Sequence, residues 1–410
     1  MKRNTIPALN VSLLLLGTAV LSEPGLAATI TASSCSQTAV QSAISSAADG
    51  DVVSVPAGSC TWSAAVSVNK PITLKGAGAT ASGTKITYGG TGHPLINIDP
   101  GNKTGYVGVS GFWLVGGDSN NWNGNAIVLN GPSGWKNVRI HENVFENNYP
   151  WTMFVSGSTH GLIDNNTFRG RAYGMKVYGN GARDWSTPLT LGTADFLFVE
   201  NNAFEYDDFY GSTGVPAVDM NNGGRVVFRN NKLTHSFFET HDKARSGLVS
   251  ANAYEIYNNT FAAGTNKWKG VDLTAGTGVV WGNTFTGDWT IPIGAMDYKT
   301  FDPRSVKRCD GNDPADQNVA GESGWRCQYQ IGTQGEGASA VSYPLYVWSN
   351  TKNGQAAQMQ CSDGCTHIKS GRDYINNGTT PKAEYKPFQY PHPLVINAPR
   401  PKPPADLSVQ

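Results

Sequence analysis

Apolar and polar residues alternate in short runs along the middle of the chain, and the runs end on asparagine. The phrase appears as Val138-Arg-Ile-His-Glu-Asn-Val-Phe145, Gly161-Leu-Ile-Asp-Asn-Asn-Thr-Phe168 and Leu197-Phe-Val-Glu-Asn-Asn-Ala-Phe204. It returns as Val226-Val-Phe-Arg-Asn-Asn-Lys-Leu233, Tyr254-Glu-Ile-Tyr-Asn-Asn-Thr-Phe261 and Val279-Val-Trp-Gly-Asn-Thr-Phe285. Aligning the second Asn places the repeats at 143, 166, 202, 231, 259 and 283, so successive gaps are 23, 36, 29, 28 and 24 residues. A repeat of this length, with its extra residues in loops, predicts a stacked solenoid. The period-2 alternation makes each phrase a strand, and Asn closes it because Asn tolerates left-handed backbone angles. Stacked at one rung position, the asparagines can hydrogen-bond as a ladder, with the following Phe or Leu stacked in the core.

Between these phrases runs a second strand family: Met175-Lys-Val-Tyr178, Val218-Asp-Met-Asn221, Phe238-Glu-Thr-His241 and Val271-Asp-Leu-Thr274. Each opens on an inward apolar residue. The ends of such a coil expose unpaired strand edges and need covers. Val40, Ala43, Ile44 and Ala47 lie on one face of a helix suited to cap the N-terminal end. From residue 301 the repeat is lost and Pro becomes frequent. The expected organisation is an export segment at 1–27, an all-β solenoid over 28–300, and a disulfide-bearing extension over 301–410 that packs on the coil.

The N-terminus carries Lys2 and Arg3, an apolar run from Val11 to Leu21, and small residues at Gly25-Leu-Ala27. That is the pattern of a secretory signal, and the run is too short to span a bilayer. No later stretch is long enough either, so no membrane partner is expected. With 31 basic and 31 acidic residues the net charge is zero, which gives no reason to expect nucleic acid. A polyanion would need a local basic patch instead. Gly is abundant, at 48 residues, and only 15% of residues are charged, as suits a chain of many turns and few amphipathic helices. The cysteines are Cys35, Cys60, Cys309, Cys327, Cys361 and Cys365. An even number in an exported chain predicts disulfides, paired here between sequence neighbours: 35 with 60, 309 with 327, 361 with 365. None has the spacing of a zinc site.

Several stretches are similar to secreted right-handed parallel β-helix proteins of the pectate-lyase-like superfamily. They are Val40-Gln-Ser-Ala-Ile44, Gly50-Asp-Val-Val-Ser-Val-Pro-Ala-Gly-Ser-Cys-Thr-Trp62, Ile72-Thr-Leu-Lys-Gly-Ala-Gly78 and the span from Phe198 through Val218-Asp219, Arg225 and His241 to Phe261. The similarity runs from about Thr31 to Asp288. Tyr346-Val-Trp-Ser-Asn-Thr351, Gly371-Arg-Asp-Tyr374 and Tyr390-Pro-His-Pro-Leu394 also resemble segments of large exported β-helix proteins. The resemblance implies a single right-handed parallel β-helix with an N-terminal capping helix. It also implies a carbohydrate function, since members include pectate and alginate lyases, polygalacturonases, uronan epimerases and non-catalytic adhesins. The polygalacturonase motif set is not matched: His160-Gly161 occurs without its carboxylates. The Arg motif of pectate lyases is not cleanly matched.

Stacking the second strand family places outward residues in columns. One reads Lys176, Asp219, Glu239, Asp272, and the next Tyr178, Asn221, His241, Thr274. The residues after His241 are Asp-Lys243-Ala-Arg245. Such a mixture suits β-elimination from a uronic-acid polymer, in which the carboxylate beside the C5 proton is neutralised, a base removes the proton and an acid protonates O4. Lys243 is the expected base, with Lys176 a second candidate. Arg245 is the carboxylate partner, because guanidinium is a poor proton donor. His241 or Tyr178 is the acid. Substrate contacts are expected from Asp219, Glu239, Asn221, Arg225, Arg183, Trp185, Tyr206 and Tyr210, with Trp122 and Trp151 contributing and the 171–196 and 205–216 loops as walls. The protein's own cations are expected to balance the carboxylates without a cofactor, so chelators should matter little. Asp219 and Glu239 are the pair that Ca²⁺ would use. The column Asp164, Glu200, Arg229 is expected to be a solvated ladder of charges. The resulting expectation is a monomeric, secreted lyase of an acidic polysaccharide such as alginate or pectate. A hydrolase or uronan epimerase, and a non-catalytic carbohydrate-binding or adhesin-like protein, are the alternatives.

Overall fold

The computed structural model describes Met1 and residues 27–90, 92–117, 125–207, 214–241, 249–264, 268–296, 329–335, 341–363 and 368–396. One rung shows how the coil is made. Leu197–Glu200 pairs into a first sheet, the Asn201-Asn202 corner turns the chain into Ala203–Tyr206 of a second sheet, and Val215–Asn221 enters a third. The chain then returns to the first sheet at Arg225–Arg229, beside the strand where the rung began. Repetition builds sheets of twelve, eleven and ten strands among the described residues. All pairings that link successive rungs are parallel, so the fold is a parallel β-helix.

The two asparagines of each phrase do different work. The first takes the left-handed conformation, with φ of 54°, 57°, 57° and 56° at Asn165, Asn201, Asn230 and Asn258. The second points inward and forms the ladder. Nδ2 of each donates to Oδ1 of the next from Asn143 through Asn166, Asn202, Asn231, Asn259 and Asn283 to Asn350, at 2.9–3.1 Å. Each Oδ1 also accepts from the preceding asparagine's backbone N–H. Buried corner amides are thus satisfied without water, which a dry interior requires. Alongside them Phe145, Phe168 and Phe204 stack at 4.9 and 4.7 Å, and Phe261 stacks on Phe285 at 4.8 Å.

The helix Gln37–Ser46 covers the first rungs. Ser36 caps it by accepting from Ala39 N, and Val40, Ala43 and Ile44 are buried against the coil. The disulfide Cys35–Cys60 ties its entry to the second sheet. Cys361 is also disulfide-bonded, and Cys309, Cys327 and Cys365 lie outside the described residues. The export segment falls almost wholly outside them too. Among the described residues no helix is long and apolar enough to cross a membrane.

Two expectations are corrected. The coil does not stop near residue 300: Leu345–Trp348 pairs with the first sheet, Asn350–Lys352 with the second, Met359–Asp363 with the third, and Tyr374–Asn376 with the first again. Asn350 therefore continues the ladder across a long insertion. The column Asp164, Glu200, Arg229 is not solvated. Residues 385–396 lie across the outer face of the first sheet as a strap, and Glu200 and Arg229 are wholly buried beneath it. Arg229 Nε is 2.6 Å from Glu200 Oε2, and its other nitrogens donate to Tyr257 OH, Phe388 O and Gln389 O. Arg139 forms a two-pronged pair with Asp164 and reaches Leu394 O. Buried charges persist because almost every donor meets an acceptor.

Candidate active site on the third sheet

In the third sheet the strand register fixes which side chains share a column. Phe154 pairs with Lys176, Lys176 with Asp219, Asp219 with Glu239, and Glu239 with Asp272. Adjacent rungs place these groups about 4.8 Å apart. The neighbouring column carries Tyr178 opposite Asn221, followed by His241 and Thr274. Alternation explains the placement, since Met175, Val177, Val218, Met220, Phe238, Val271 and Leu273 are buried in the interior.

The polar members are buried although they stand on the outer side of the sheet. Asp219 is 2% exposed, Glu239 3%, His241 9% and Asp272 0%. The imidazole of His241 is the centre of the cluster. Nε2 is 2.7 Å from Glu239 Oε1, and Nδ1 is 3.1 Å from Asn221 Nδ2 and 3.4 Å from Asp219 Oδ1. Asn221 Nδ2 also donates to Asp219 Oδ1 at 3.0 Å. Nε2 faces the carboxylate of Glu239, while Nδ1 faces both the amide of Asn221 and the carboxylate of Asp219. Lys176 Nζ is 3.7 Å from Asp219 Oδ2, and Lys269 Nζ is 2.6 Å from Asp272 Oδ1.

Asp219, Glu239 and His241 each offer a ligand atom within 4.8 Å of one another. Asn221 Oδ1 is buried without a hydrogen-bond partner and adds a further oxygen. Three oxygens and a nitrogen fit a divalent cation, although Ca²⁺ prefers an all-oxygen set.

Next to the cluster, toward the N-terminal rungs, lies a cleft of about 410 Å³ lined by Asn125, Val128, Asn130, Trp151, Phe154, Lys176 and Tyr178. Tyr178 meets Phe154 edge-on at 4.9 Å.

The structure thus brings together Lys176, Tyr178, Asp219, Asn221, Glu239 and His241, with Trp151 on the cleft wall. Other candidates are placed elsewhere. Trp185 is fully buried, donates from Nε1 to Ser250 O and packs on Tyr329. Tyr206 is 3% exposed and belongs to the core. Arg225 is buried in the first sheet, where its guanidinium holds the carbonyls of Asp184, Thr187 and Pro188. These three side chains offer no surface to a polysaccharide. Arg183 is exposed on the short helix Ala182–Ser186. The chain after that helix does not wall the third sheet. Leu189 and Leu191 pack against Phe196 and Phe198, and Gly192 N donates to Glu255 Oε1, all on the strap side. Lys243, Arg245, Tyr210 and Trp122 lie outside the described residues.

Lys269 was not singled out by sequence reasoning. It stands three positions before Asp272, an odd spacing that strict alternation assigns to opposite faces.

No family model and no curated protein matches this chain. Among solved structures it is similar to ORF18 of Geobacillus virus E2, at 16% identity and a TM-score of 0.42 over 65% of this chain and 55% of that one. It is similar to the catalytic domain of a GH87 α-1,3-glucanase in complex with nigerose, at 12% identity and a TM-score of 0.40, over 88% of this chain and 68% of that one. A PL6 family alginate lyase gives 16% identity and a TM-score of 0.39, over 82% of this chain and 53% of that one. The chain thus spans little more than half of the viral protein and of the lyase. Likeness at this level carries no argument about activity.

Proposed function

We propose that this protein is a secreted polysaccharide lyase that cleaves a uronic-acid polymer by β-elimination on the third sheet. The reading rests on one observation: a lysine, an imidazole and carboxylates share adjacent columns of a rigid sheet, beside an open cleft lined with aromatic rings. Elimination needs a cation beside the substrate carboxylate, and Lys176 stands at the boundary of cleft and cluster. It also needs a proton delivered to the leaving O4. Glu239 and Asn221 hold the His241 ring in a fixed orientation, as a proton-transferring group requires. Tyr178 is the second donor. Lys243 remains the expected base and Arg245 the expected carboxylate partner. A divalent cation held by Asp219, Glu239, His241 and Asn221 would supply further neutralisation of the substrate carboxylate. With Lys176 and Lys269 already beside the carboxylate column, chelation should change the rate by only a small factor.

A hydrolase is the second reading, favoured by the carboxylates of Asp219 and Glu239 on adjacent rungs, since retaining glycosidases use a pair about 5 Å apart. Incubation with alginate, pectate and glucuronan separates the readings. A lyase produces unsaturated ends that absorb in the ultraviolet, a hydrolase produces reducing ends without that absorbance, and a binding protein produces neither. His241→Ala should lower turnover at least about 100-fold, the usual contribution of a positioned acid or base. Near-native turnover by this variant on the true substrate would remove the site from the third sheet.

A further inference from the structure

We propose that the cleft beside the His241 cluster is a subsite for one carboxylate-bearing sugar, so that the polymer lies across the rungs along the solenoid axis. This rests on the lyase reading for the direction of the chain, but the binding itself does not require turnover.

The chemistry of the lining selects the occupant. Phe154 and Tyr178 present two rings at 66° to one another, a corner against which the apolar face of a pyranose can pack. Trp151 is 7% exposed, and its buried Nε1–H has no hydrogen-bond partner. It borders the cleft through its ring, since a nitrogen closed to water is closed to a ligand oxygen as well. Asn125 and Asn130 add amides for further hydroxyls.

Charge narrows the class. Among the described residues the lining contains one cation, Lys176, and no acidic residue. Lys176 Nζ lies 5.1 Å from the Trp151 ring and 5.6 Å from the Tyr178 ring, and its nearest carboxylate oxygen, at 3.7 Å, is beyond hydrogen-bond length. An ammonium held over two rings, with donors left over, is suited to a ligand carboxylate. On the other side of Lys176 the same column turns acidic at Asp219, Glu239 and Asp272. An anionic sugar is therefore drawn to the cleft side and repelled beyond it, except where the reacting carboxylate is neutralised.

The test is calorimetric titration with short oligogalacturonate, oligomannuronate and neutral cello-oligosaccharide, on the full chain carrying His241→Ala to suppress cleavage. The uronides should bind more tightly than the neutral sugar. Phe154→Leu, which keeps an apolar side chain but removes the ring, and Phe154→Ala should each weaken uronide binding by about ten-fold, as loss of a ring contact implies. Lys176→Met should erase the preference for uronides. Circular dichroism and an unchanged thermal midpoint establish that each variant is folded. Equal binding of acidic and neutral sugars, or unchanged affinity in both Phe154 variants, overturns the subsite. If uronides bind with this dependence and the wild type cleaves nothing, the subsite stands and the lyase reading falls. If the wild type makes unsaturated ends and Phe154→Leu changes neither KM nor affinity, the lyase reading stands and the subsite falls.

Discussion

Lys269 and Glu142 are both residues whose surroundings the sequence pattern hides. Lys269 is wholly buried, its Nζ 4.4 Å from the Trp268 ring and bonded to Asp272, and its stem runs where a side chain on Gly294 would stand. Removing a charge from a buried pair costs about 3 kcal/mol or more. Lys269→Met should lower stability by roughly that amount in urea denaturation, and an unchanged midpoint would contradict the pairing. Glu142 occupies the corner position that later rungs give to asparagine, with φ of 55°. Its side chain is 69% exposed, so little packing repays the left-handed backbone. Glu142→Asn should therefore raise stability by about 0.5–1 kcal/mol, read as a higher urea midpoint. The Lys176–Asp219–Glu239–Asp272 column could be read before any coordinates, because strand register transmits sequence alignment directly into space. Lys269 could not, because a flexible stem takes its charge out of the alternation that makes columns visible.

The strap over residues 385–396 is the element least visible in the sequence. It has no repeat, and it is held by backbone carbonyls that composition does not reveal. Its docking changes the chemistry of the groups beneath it. His392, packed on Phe198 and Phe388, has its pKa pushed down to about 4 by burial and by the nearby charges of Arg229 and Arg139. Its folded pKa is below the ordinary value of 6.5, so the unfolded chain binds the proton more tightly. Its contribution is therefore complete above pH 6.5 and is lost as pH falls toward 4. Glu200 and Glu255 are raised by burial and act with the opposite sign, favouring the folded state as pH falls. His392→Phe keeps a ring against the same neighbours and isolates the imidazole. Between pH 7 and 4.5 the variant should lose less stability than the wild type, by on the order of 1–2 kcal/mol after allowing for solvent screening. Parallel losses in urea midpoints at the two pH values would show that His392 is not held neutral under the strap.

At the scale of the whole molecule, stability is a sum of rungs and of the contacts between neighbours, as in other solenoids. The coil was legible because its repeat is strict where the corner demands it, at a left-handed asparagine followed by an inward one. Its true end was not legible, because a long insertion between Asn283 and Asn350 conceals a repeat that resumes with the same amide contact. The ladder predicts how the molecule comes apart. Asn231 Oδ1 accepts from the backbone N–H and the side chain of Asn202, and its Nδ2 donates to Val199 O and Asn259 Oδ1. Asn231→Ala removes the acceptor from a buried backbone N–H and interrupts the ladder midway, at a cost of about 2–3 kcal/mol. Because rungs couple mainly to their neighbours, the effect should be local before it is global. Hydrogen exchange should rise first in strands 197–206 and 225–234, while rungs at both ends keep their protection until higher denaturant. Asn350→Ala, on the last rung of the ladder, orphans the Asn283 N–H and should expose only strands 277–286 and those after 341. A uniform rise in exchange across all rungs in both variants would mean that the coil unfolds as one cooperative unit, with the ladder serving only as local packing.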